Sequence, residues 1–278
     1  MAIKAVALDI DGTLTNDAKQ IAPRTKEALL AAQDAGVKVI LASGRPIQGL
    51  LALAVELELE RHDGLLVPFN GARVIDVQTD EVLFSQPIDL VYTRALVGHI
   101  KNYDVIPWFV EDDRLIIERG TRHVIMYRGE AFDIVDYERR HCDLVIYEVD
   151  DLFSVCDRPQ DKLLCAAEPE YLQAMYAEMY APFTETLSGM FTADFYFEFM
   201  ASGVSKGAAL AGALPKLGID ASEVAAFGDA QNDLSMIEWA GTGVAMGNAT
   251  NEVKAAANVV TASNNEDGIA LALEQLLG

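Results

Sequence analysis

The sequence has little of what secreted, fibrous or membrane-spanning proteins need. It contains three Cys and nine Pro among 278 residues, and 51% of its residues are hydrophobic. Three thiols cannot all pair within one chain, and none of them has C-x-x-C spacing, so we expect reduced thiols in a reducing compartment. Few prolines and many apolar side chains exclude collagen and disordered tails. No apolar run reaches the roughly 18 residues of a membrane span.

Basic residues are also scarce. Lys and Arg number 21 against 43 Asp and Glu, which gives a formal charge of -22. This charge opposes the phosphate groups of nucleic acids and anionic lipids, so we expect no nucleic-acid partner and no membrane partner. Asp9 and Asp11 interrupt the apolar amino-terminal segment before a secretory signal could be complete. A cytoplasmic location is the expectation.

Apolar runs alternate with helical patterns near both ends of the chain. Near the amino terminus, the runs IKAVALDI, GVKVILAS and DGLLVPFN predict buried strands, and the segments 23–35 and 47–59 between them predict helices. The same alternation returns from residue 205 onward, where EVAAFGD predicts another buried strand. This order of elements predicts right-handed crossovers in a parallel sheet.

The middle of the chain has a different composition. All nine Tyr lie between Tyr92 and Tyr196, and Gly becomes sparse there. We therefore predict a core made of residues 1–85 plus 193–278, with an inserted domain over residues 86–192. The length suits one or two domains of this kind.

Polar residues follow the predicted strands and begin the predicted helices. Ligands of open parallel sheets bind beyond the carboxyl ends of the strands. The residues expected there are Asp9, Asp11, Ser43, Arg45, Asn70, Ser205, Lys206 and 228–233. Converging carboxylates repel one another, and a bound divalent cation relieves that repulsion; oxygen ligands favour Mg²⁺.

A phosphate group would fit beside such a cation. Lys206, Ser43 and backbone N–H groups at helix starts would bind phosphoryl oxygens. An ionised carboxylate beside them could attack phosphorus and form an aspartyl-phosphate. The residues alone leave Asp9 and Asp11 both open as this nucleophile.

The motifs DIDGTL at 9–14, Ser43, VSKG at 204–207 and GDAQND at 228–233 resemble, in order and spacing, those of the haloacid dehalogenase-like hydrolases. The NGA at 70–72 and the long insertion are similar to the Cof-type branch, subfamily IIB. The resemblance implies an α/β fold class: a Rossmann-like doubly wound parallel sheet core with an inserted α+β cap domain of the type-two (C2B) kind. In that branch the core carries catalysis and the cap screens the substrate.

The resemblance also implies a role for each matching position. Asp9 would be the nucleophile and a Mg²⁺ ligand, and Asp11 would be the general acid and base and bind Mg²⁺ through its backbone carbonyl. Asp229 would complete the protein ligands, and Asp233 would orient Lys206 or a metal-bound water. The positions implied to contact phosphate or substrate are Ile10, Ser43, Gly44, Lys206 and Asn232.

Three expectations concern the rim of this site. Arg45 is expected either to contact substrate or to pair with one of the rim carboxylates. Asn70 is likewise a candidate for substrate contact or for a structural role. Asp11 is expected to have a raised pKa, caused by neighbouring carboxylates, since it has to donate a proton to the leaving group.

These implications predict a Mg²⁺-dependent phosphatase that hydrolyses a small phosphorylated metabolite, with sugar phosphates as the expected class. One alternative is a phosphotransferase or mutase similar to phosphomannomutase. Another is a regulator that binds metal and phosphate without catalysis. The sequence predicts neither the oligomeric state nor the cap residues that would set specificity.

Overall fold

The computed structural model describes residues 2–278 as alternating strands and helices. The strands are β1 (Ala5–Leu8), β2 (Lys38–Ala42), β3 (Leu65–Val67), β4 (Arg73–Asp76), β5 (Val82–Ser85), β6 (Ile106–Glu111), β7 (Arg114–Glu118), β8 (Val124–Tyr127), β9 (Glu130–Asp133), β10 (Val145–Val149), β11 (Leu163–Ala166), β12 (Leu187–Ala193), β13 (Tyr196–Ala201), β14 (Val224–Gly228), β15 (Thr242–Ala245) and β16 (Val259–Val260). The helices are α1 (Pro23–Asp34), α2 (Gln48–Glu56), α3 (Leu90–Ile100), α4 (Ile134–His141), α5 (Pro169–Tyr180), α6 (Lys206–Ala213), α7 (Leu234–Trp239), α8 (Asn251–Ala256) and α9 (Gly268–Leu277).

The chain forms two compact units. The first contains the residues up to Arg45, Leu50–Ser85 and Ser205–Gly278, and the second contains Pro46–Gly49 and Gln86–Val204. The predicted boundary at residue 192 is therefore wrong, because residues 193–204 belong to the second unit. The reason is that β13 pairs with β11 and β12 in the sheet of that unit. The apolar pattern of a strand does not predict which sheet the strand joins.

A single mixed sheet forms the first unit. Its strand order is β16-β15-β14-β1-β2-β3-β4-β5. The central strand β1 is parallel to both β14 and β2, whereas β4 and β5 run antiparallel to their neighbours. Every residue of β1 is buried, as expected for a strand covered on both faces. The α/β fold class with a parallel sheet is confirmed.

The parallel strands of the first unit bring the polar residues that follow them to one edge of the sheet. Leu8, the last residue of β1, lies opposite Leu41 of β2 and Phe227 of β14. The residues that follow these strand ends are therefore brought to the same edge of the sheet. They include Asp9, Ser43 and Asp229.

The second unit is α+β. Its main sheet has the order β10-β7-β6-β11-β13-β12, and β8 and β9 form a separate hairpin. One apolar cluster contains Phe197 and Phe199 of β13, and another contains Tyr196 of the same strand together with Trp108. Because side chains alternate along a strand, β13 supplies both clusters.

The three cysteines, Cys142, Cys156 and Cys165, are buried, and they form no disulfide within residues 2–278. Burial raises the pKa of the Cys156 thiol to about 11 and also raises the pKa of Cys165. Within residues 2–278, none of the helices combines the length and the apolar character that crossing a bilayer requires.

Candidate active site

A fully buried lysine lies at the centre of the site. The Lys206 Nζ donates hydrogen bonds of 2.6 Å to Asp9 Oδ1 and of 2.6 Å to Asp233 Oδ1. Lys206 is the first residue of α6, and the Ser205 side chain caps that helix by accepting from the Ala208 N–H. Burial lowers the pKa of Lys206, but Asp233 and Asp9 outweigh burial and raise it above its usual value. The ammonium therefore stays charged inside the protein.

Asp233 uses both carboxylate oxygens to organise its surroundings. Its Oδ1 accepts from Lys206, and its Oδ2 accepts from the backbone N–H groups of Asp229 and Ala230 at 2.9 and 3.0 Å. These bonds fix the turn that follows β14. They also agree with the predicted role of Asp233 in orienting Lys206.

The carboxylates of this site are crowded. One oxygen from each of Asp9, Asp229 and Asp233 lies within 4.8 Å of the others. Burial, followed by the charge of Asp233, raises the pKa of Asp9 to about 8 although Lys206 opposes the shift. Burial and Asp233 also raise the pKa of Asp229 to about 6. A cation bound here would offset that repulsion.

The donor set fits a hard divalent cation. All three groups offer carboxylate oxygens, which Mg²⁺ prefers. Asp233 already accepts three hydrogen bonds, so Asp9 and Asp229 are the better candidates for ligands. Thr13 Oγ1 donates to Asp229 Oδ1 at 3.0 Å and so orients that carboxylate.

Gly12 lets the backbone pass close to Asp229. Its φ is +85°, and a Cβ at this position would lie 2.5 Å from Asp229 Oδ2. Asn248 Nδ2 donates to the Gly12 carbonyl at 2.8 Å and holds the turn. A glycine is therefore required after Asp11 on grounds of both conformation and space.

Asp11 is held by two basic side chains. Arg45 donates from Nε to Oδ2 at 2.9 Å and from Nη2 to Oδ1 at 2.7 Å, and the Lys19 Nζ donates to Oδ1 at 2.7 Å. Burial raises the pKa of Asp11, but Arg45 and Lys19 outweigh it and hold that pKa at about 2. The expected rise in the pKa of Asp11 is therefore wrong for this structure, because cations rather than carboxylates contact the group.

Arg45 thus makes the rim-carboxylate pairing that was one of its two expected roles. Lys19 was not predicted, because it lies in a turn rather than at a strand end. Its φ is +59°, and Asn16 Oδ1 accepts from the N–H groups of Ala18 and Gln20 on either side of it. A basic residue in the short loop after DIDGT is the sequence signal that could have indicated it.

The remaining predicted residues lie around Ser43. Ser43 is buried and its Oγ accepts from the Arg45 N–H at 3.2 Å, which leaves its own hydrogen to donate. The Ser43 carbonyl accepts from Asn70 N–H at 2.8 Å. Asn70 Oδ1 accepts from Asn232 Nδ2 at 3.1 Å. At Gly44, a Cβ would lie 3.1 Å from that same Oδ1.

Ile10 is fully buried directly after Asp9. Its carbonyl accepts from the N–H and the Oγ1 of Thr15, at 2.9 and 3.0 Å, which closes the loop after β1. The structure therefore assembles the predicted residues of the first unit at the sheet edge in two groups: one around Lys206 and one around Asp11 and Ser43.

Known proteins are similar to this chain in sequence and in fold. The family model described as haloacid dehalogenase-like hydrolase matches residues 6–273. The chain is 32% identical over 275 residues to the 5-amino-6-(5-phospho-D-ribitylamino)uracil phosphatase YitU of Bacillus subtilis (strain 168), covering 97% of this chain and 96% of that protein.

Solved structures agree with the sequence matches. A haloacid dehalogenase-like hydrolase from Bacteroides thetaiotaomicron superposes with a TM-score of 0.89 at 30% identity, covering 99% of both chains. The HAD subclass IIB sugar phosphatase BT4131 superposes with a TM-score of 0.79 at 27% identity, covering 98% of both chains. The predicted family is confirmed by these matches along almost the whole length. The chain belongs to the haloacid dehalogenase-like hydrolase family, and it is a phosphatase.

Proposed function

We propose that this phosphatase depends on Mg²⁺, attacks the phosphorus of small phosphorylated metabolites with Asp9, and uses Asp11 as its general acid and base. The observation that supports this most strongly is the buried Lys206, which bridges Asp9 and Asp233 beside Asp229. A buried ammonium with two carboxylates at the carboxyl edge of a parallel sheet is suited to bind a phosphoryl group.

Asp9 and Asp229 would hold the metal, together with the Asp11 backbone carbonyl that the family resemblance implies. When bound, Mg²⁺ would neutralise phosphoryl oxygens and lower the repulsion that Asp9 meets on attack. The same charge would favour the ionised form of Asp9, whose pKa the protein alone raises to about 8.

The proposed reaction has two displacements at phosphorus. In the first, an Asp9 oxygen forms a bond to phosphorus, the ester P–O bond breaks, and the leaving oxygen takes a proton from Asp11. In the second, Asp11 takes a proton from a water whose oxygen bonds to phosphorus, and Asp9 leaves with its carboxylate restored. Lys206 and the Ser43 hydroxyl would donate to the phosphoryl oxygens in both steps.

The contacts of Asp11 fit the second step directly. With Arg45 and Lys19 bound, Asp11 is ionised, which is the form that accepts a proton from water. For the first step Asp11 must carry a proton, so substrate binding has to weaken one of these contacts. An anionic substrate that attracts Arg45 would do this, since losing that partner raises the pKa of Asp11.

Sugar phosphates are the substrate class that we favour. The relatives described above act, by their names, on a sugar phosphate and on a phosphoribityl compound, and both carry phosphate on a polyhydroxylated chain. An acidic protein with a net charge of -22 disfavours large polyanions and suits a small ester.

The test measures inorganic phosphate released from sugar phosphates, nucleotides and cofactor phosphates, with Mg²⁺ or with EDTA. The compared proteins are the wild type, Asp9→Asn, and Asp17→Asn as a control at an exposed carboxylate nearby. We expect Mg²⁺-dependent release that Asp17→Asn retains and Asp9→Asn loses down to background. Near wild-type release by a folded Asp9→Asn protein would refute the mechanism, and phosphate transfer to a second sugar without release would support the mutase alternative.

A further inference from the structure

The turn after β3 has an uncommon backbone. Phe69, Asn70 and Gly71 have successive φ values of +53°, +54° and +102°. Residues with side chains rarely adopt this region, and a bulky aromatic residue does so least of all. Strain of this kind persists only where the surroundings impose it, and it is frequent at functional sites.

Contacts from neighbouring segments hold the turn. Phe69 N–H donates to the Arg45 carbonyl at 2.9 Å, and Asn70 N–H donates to the Ser43 carbonyl at 2.8 Å. At Gly71, a Cβ would lie 2.3 Å from the Ser205 carbonyl oxygen. The turn is therefore fixed between the end of β2 and the start of α6, where Ser43 and Lys206 belong to the site.

This turn places the Asn70 side chain inside the protein. Asn70 is 2% exposed, and its Oδ1 accepts a 3.1 Å hydrogen bond from Asn232 Nδ2. Asn232 is only partly buried, and it directly precedes Asp233. The bond to Asn70 fixes the rotation of the Asn232 carboxamide, so the remaining N–H of that amide has one direction rather than many.

We propose that Asn70 is a positioning residue that acts on substrate through Asn232. Asn70 orients the Asn232 carboxamide, and the second N–H of Asn232 then donates to an oxygen of the bound phosphoryl group or substrate. The inference rests on the proposed function of the site, and it replaces the expected direct contact between Asn70 and substrate. The strained turn is the structural means by which the chain buries Asn70 at this point.

The test is a double-mutant cycle with p-nitrophenyl phosphate and Mg²⁺. The proteins are the wild type, Asn70→Gly, Asn232→Ala and the double variant. We expect each single variant to lower kcat/KM roughly tenfold, and the double variant to be no worse than Asn232→Ala alone. Two independent substrate contacts would instead multiply, giving a loss of about a hundredfold.

Asn70→Ala is the matched control for backbone effects. Glycine accepts a φ of +54° more easily than alanine, so Asn70→Gly should have the higher Tm of the two. Both variants lack the acceptor for Asn232, so we expect equal losses of kcat/KM despite different Tm. Losses that follow Tm, wild-type activity of Asn70→Gly, or multiplicative losses in the cycle would each overturn the inference.

The same double-mutant cycle is repeated with the affinity for inorganic phosphate as the measured quantity. Calorimetry gives this affinity in the presence of Mg²⁺ and requires no turnover. We expect Asn70→Gly to weaken phosphate binding in the otherwise wild-type protein. In a protein that already carries Asn232→Ala, we expect the same change to cause no further weakening. A wild type without Asp9-dependent turnover would count against the proposed function, whereas this binding cycle would still decide the role of Asn70.

Discussion

Each unit of the protein buries one lysine between carboxylates. In the first unit Lys206 bridges Asp9 and Asp233. In the second unit Lys162 pairs with Glu198 at 2.8 Å. Burial lowers the pKa of Lys162, but the charges of Glu198 and Glu138 outweigh burial and raise it. The two clusters contain the same ingredients, one ammonium and two carboxylates, and both are almost completely shielded from solvent.

Their places in the two sheets differ. The Lys206 cluster lies beyond the ends of β1 and β14, which is where parallel sheets bind their ligands. Glu198 instead lies within β13, opposite Leu164 of β11, and Glu138 accepts from Tyr196 Oη and from Cys142 Sγ. A buried lysine with carboxylates therefore does not by itself indicate an active site. A position beyond the carboxyl ends of parallel strands is the feature that favours a ligand site.

Replacing each lysine by methionine, in two separate variants, should distinguish the two clusters most clearly, because only one of the two changes should lower turnover. Lys206→Met removes a donor to the phosphoryl group and leaves Asp9 and Asp233 without their cation, so we expect turnover to fall by about 10³-fold. Lys162→Met should leave the turnover of the folded protein unchanged. The measurement is kcat per folded molecule, and a comparable loss in Lys162→Met would contradict the distinction.

Replacing Lys162 in the second unit should lower the free energy of unfolding. Lys162→Met leaves Glu198 buried without its partner, which we expect to cost about 3 kcal/mol in the free energy of unfolding. The double variant Lys162→Met/Glu198→Leu removes the lysine and its hydrogen-bonded carboxylate together. Glu138 remains, but without Lys162 it binds a proton more readily, so the double variant should recover most of that loss. Urea unfolding of the three proteins measures both effects. A double variant as unstable as Lys162→Met would show that the ion pair itself stabilises the unit.

The smallest expected effect concerns the pH dependence of stability. Burial, aided by Glu198 and opposed by Lys162, raises the pKa of Glu138 above its usual 4.5. A raised pKa contributes stability that is complete below 4.5 and is lost as pH rises through the folded value. The glutamine of the variant Glu138→Gln does not titrate, so the free energy of unfolding of the wild type should fall relative to that of Glu138→Gln as the pH rises above 4.5. A difference that stays constant above this pH would contradict the shift.

Local sequence patterns account for much of the first unit. Asp9, Ser43 and Asp229 were predictable because buried parallel strands end at one edge, and Lys206 because it begins a helix there. The partner of Arg45 was left open, since a side chain of that length can reach several groups. The pKa of Asp11 was predicted in the wrong direction, because Arg45 contacts that carboxylate and Lys19 also reaches it, from a turn that no motif marks.

The second unit was less predictable for a related reason. Lys162 directly precedes β11, Glu198 lies in β13, and Glu138 lies in α4, so no local spacing relates them. The boundary at residue 192 was wrong because the partners of β13 lie in the inserted segment. Which sheet a strand joins is decided by pairing between distant segments, which local hydrophobicity does not record.

The burial of Cys142, Cys156 and Cys165 has a practical consequence. Thiolates are the reactive form toward maleimides, and burial slows the reaction of all three thiols; the raised pKa values of Cys156 and Cys165 slow the reaction of those two further. A cysteine introduced on the surface of either unit would therefore be labelled selectively, with the native cysteines left in place. The wild-type background is suited to attaching a fluorophore or a spin label at a chosen surface position of one unit.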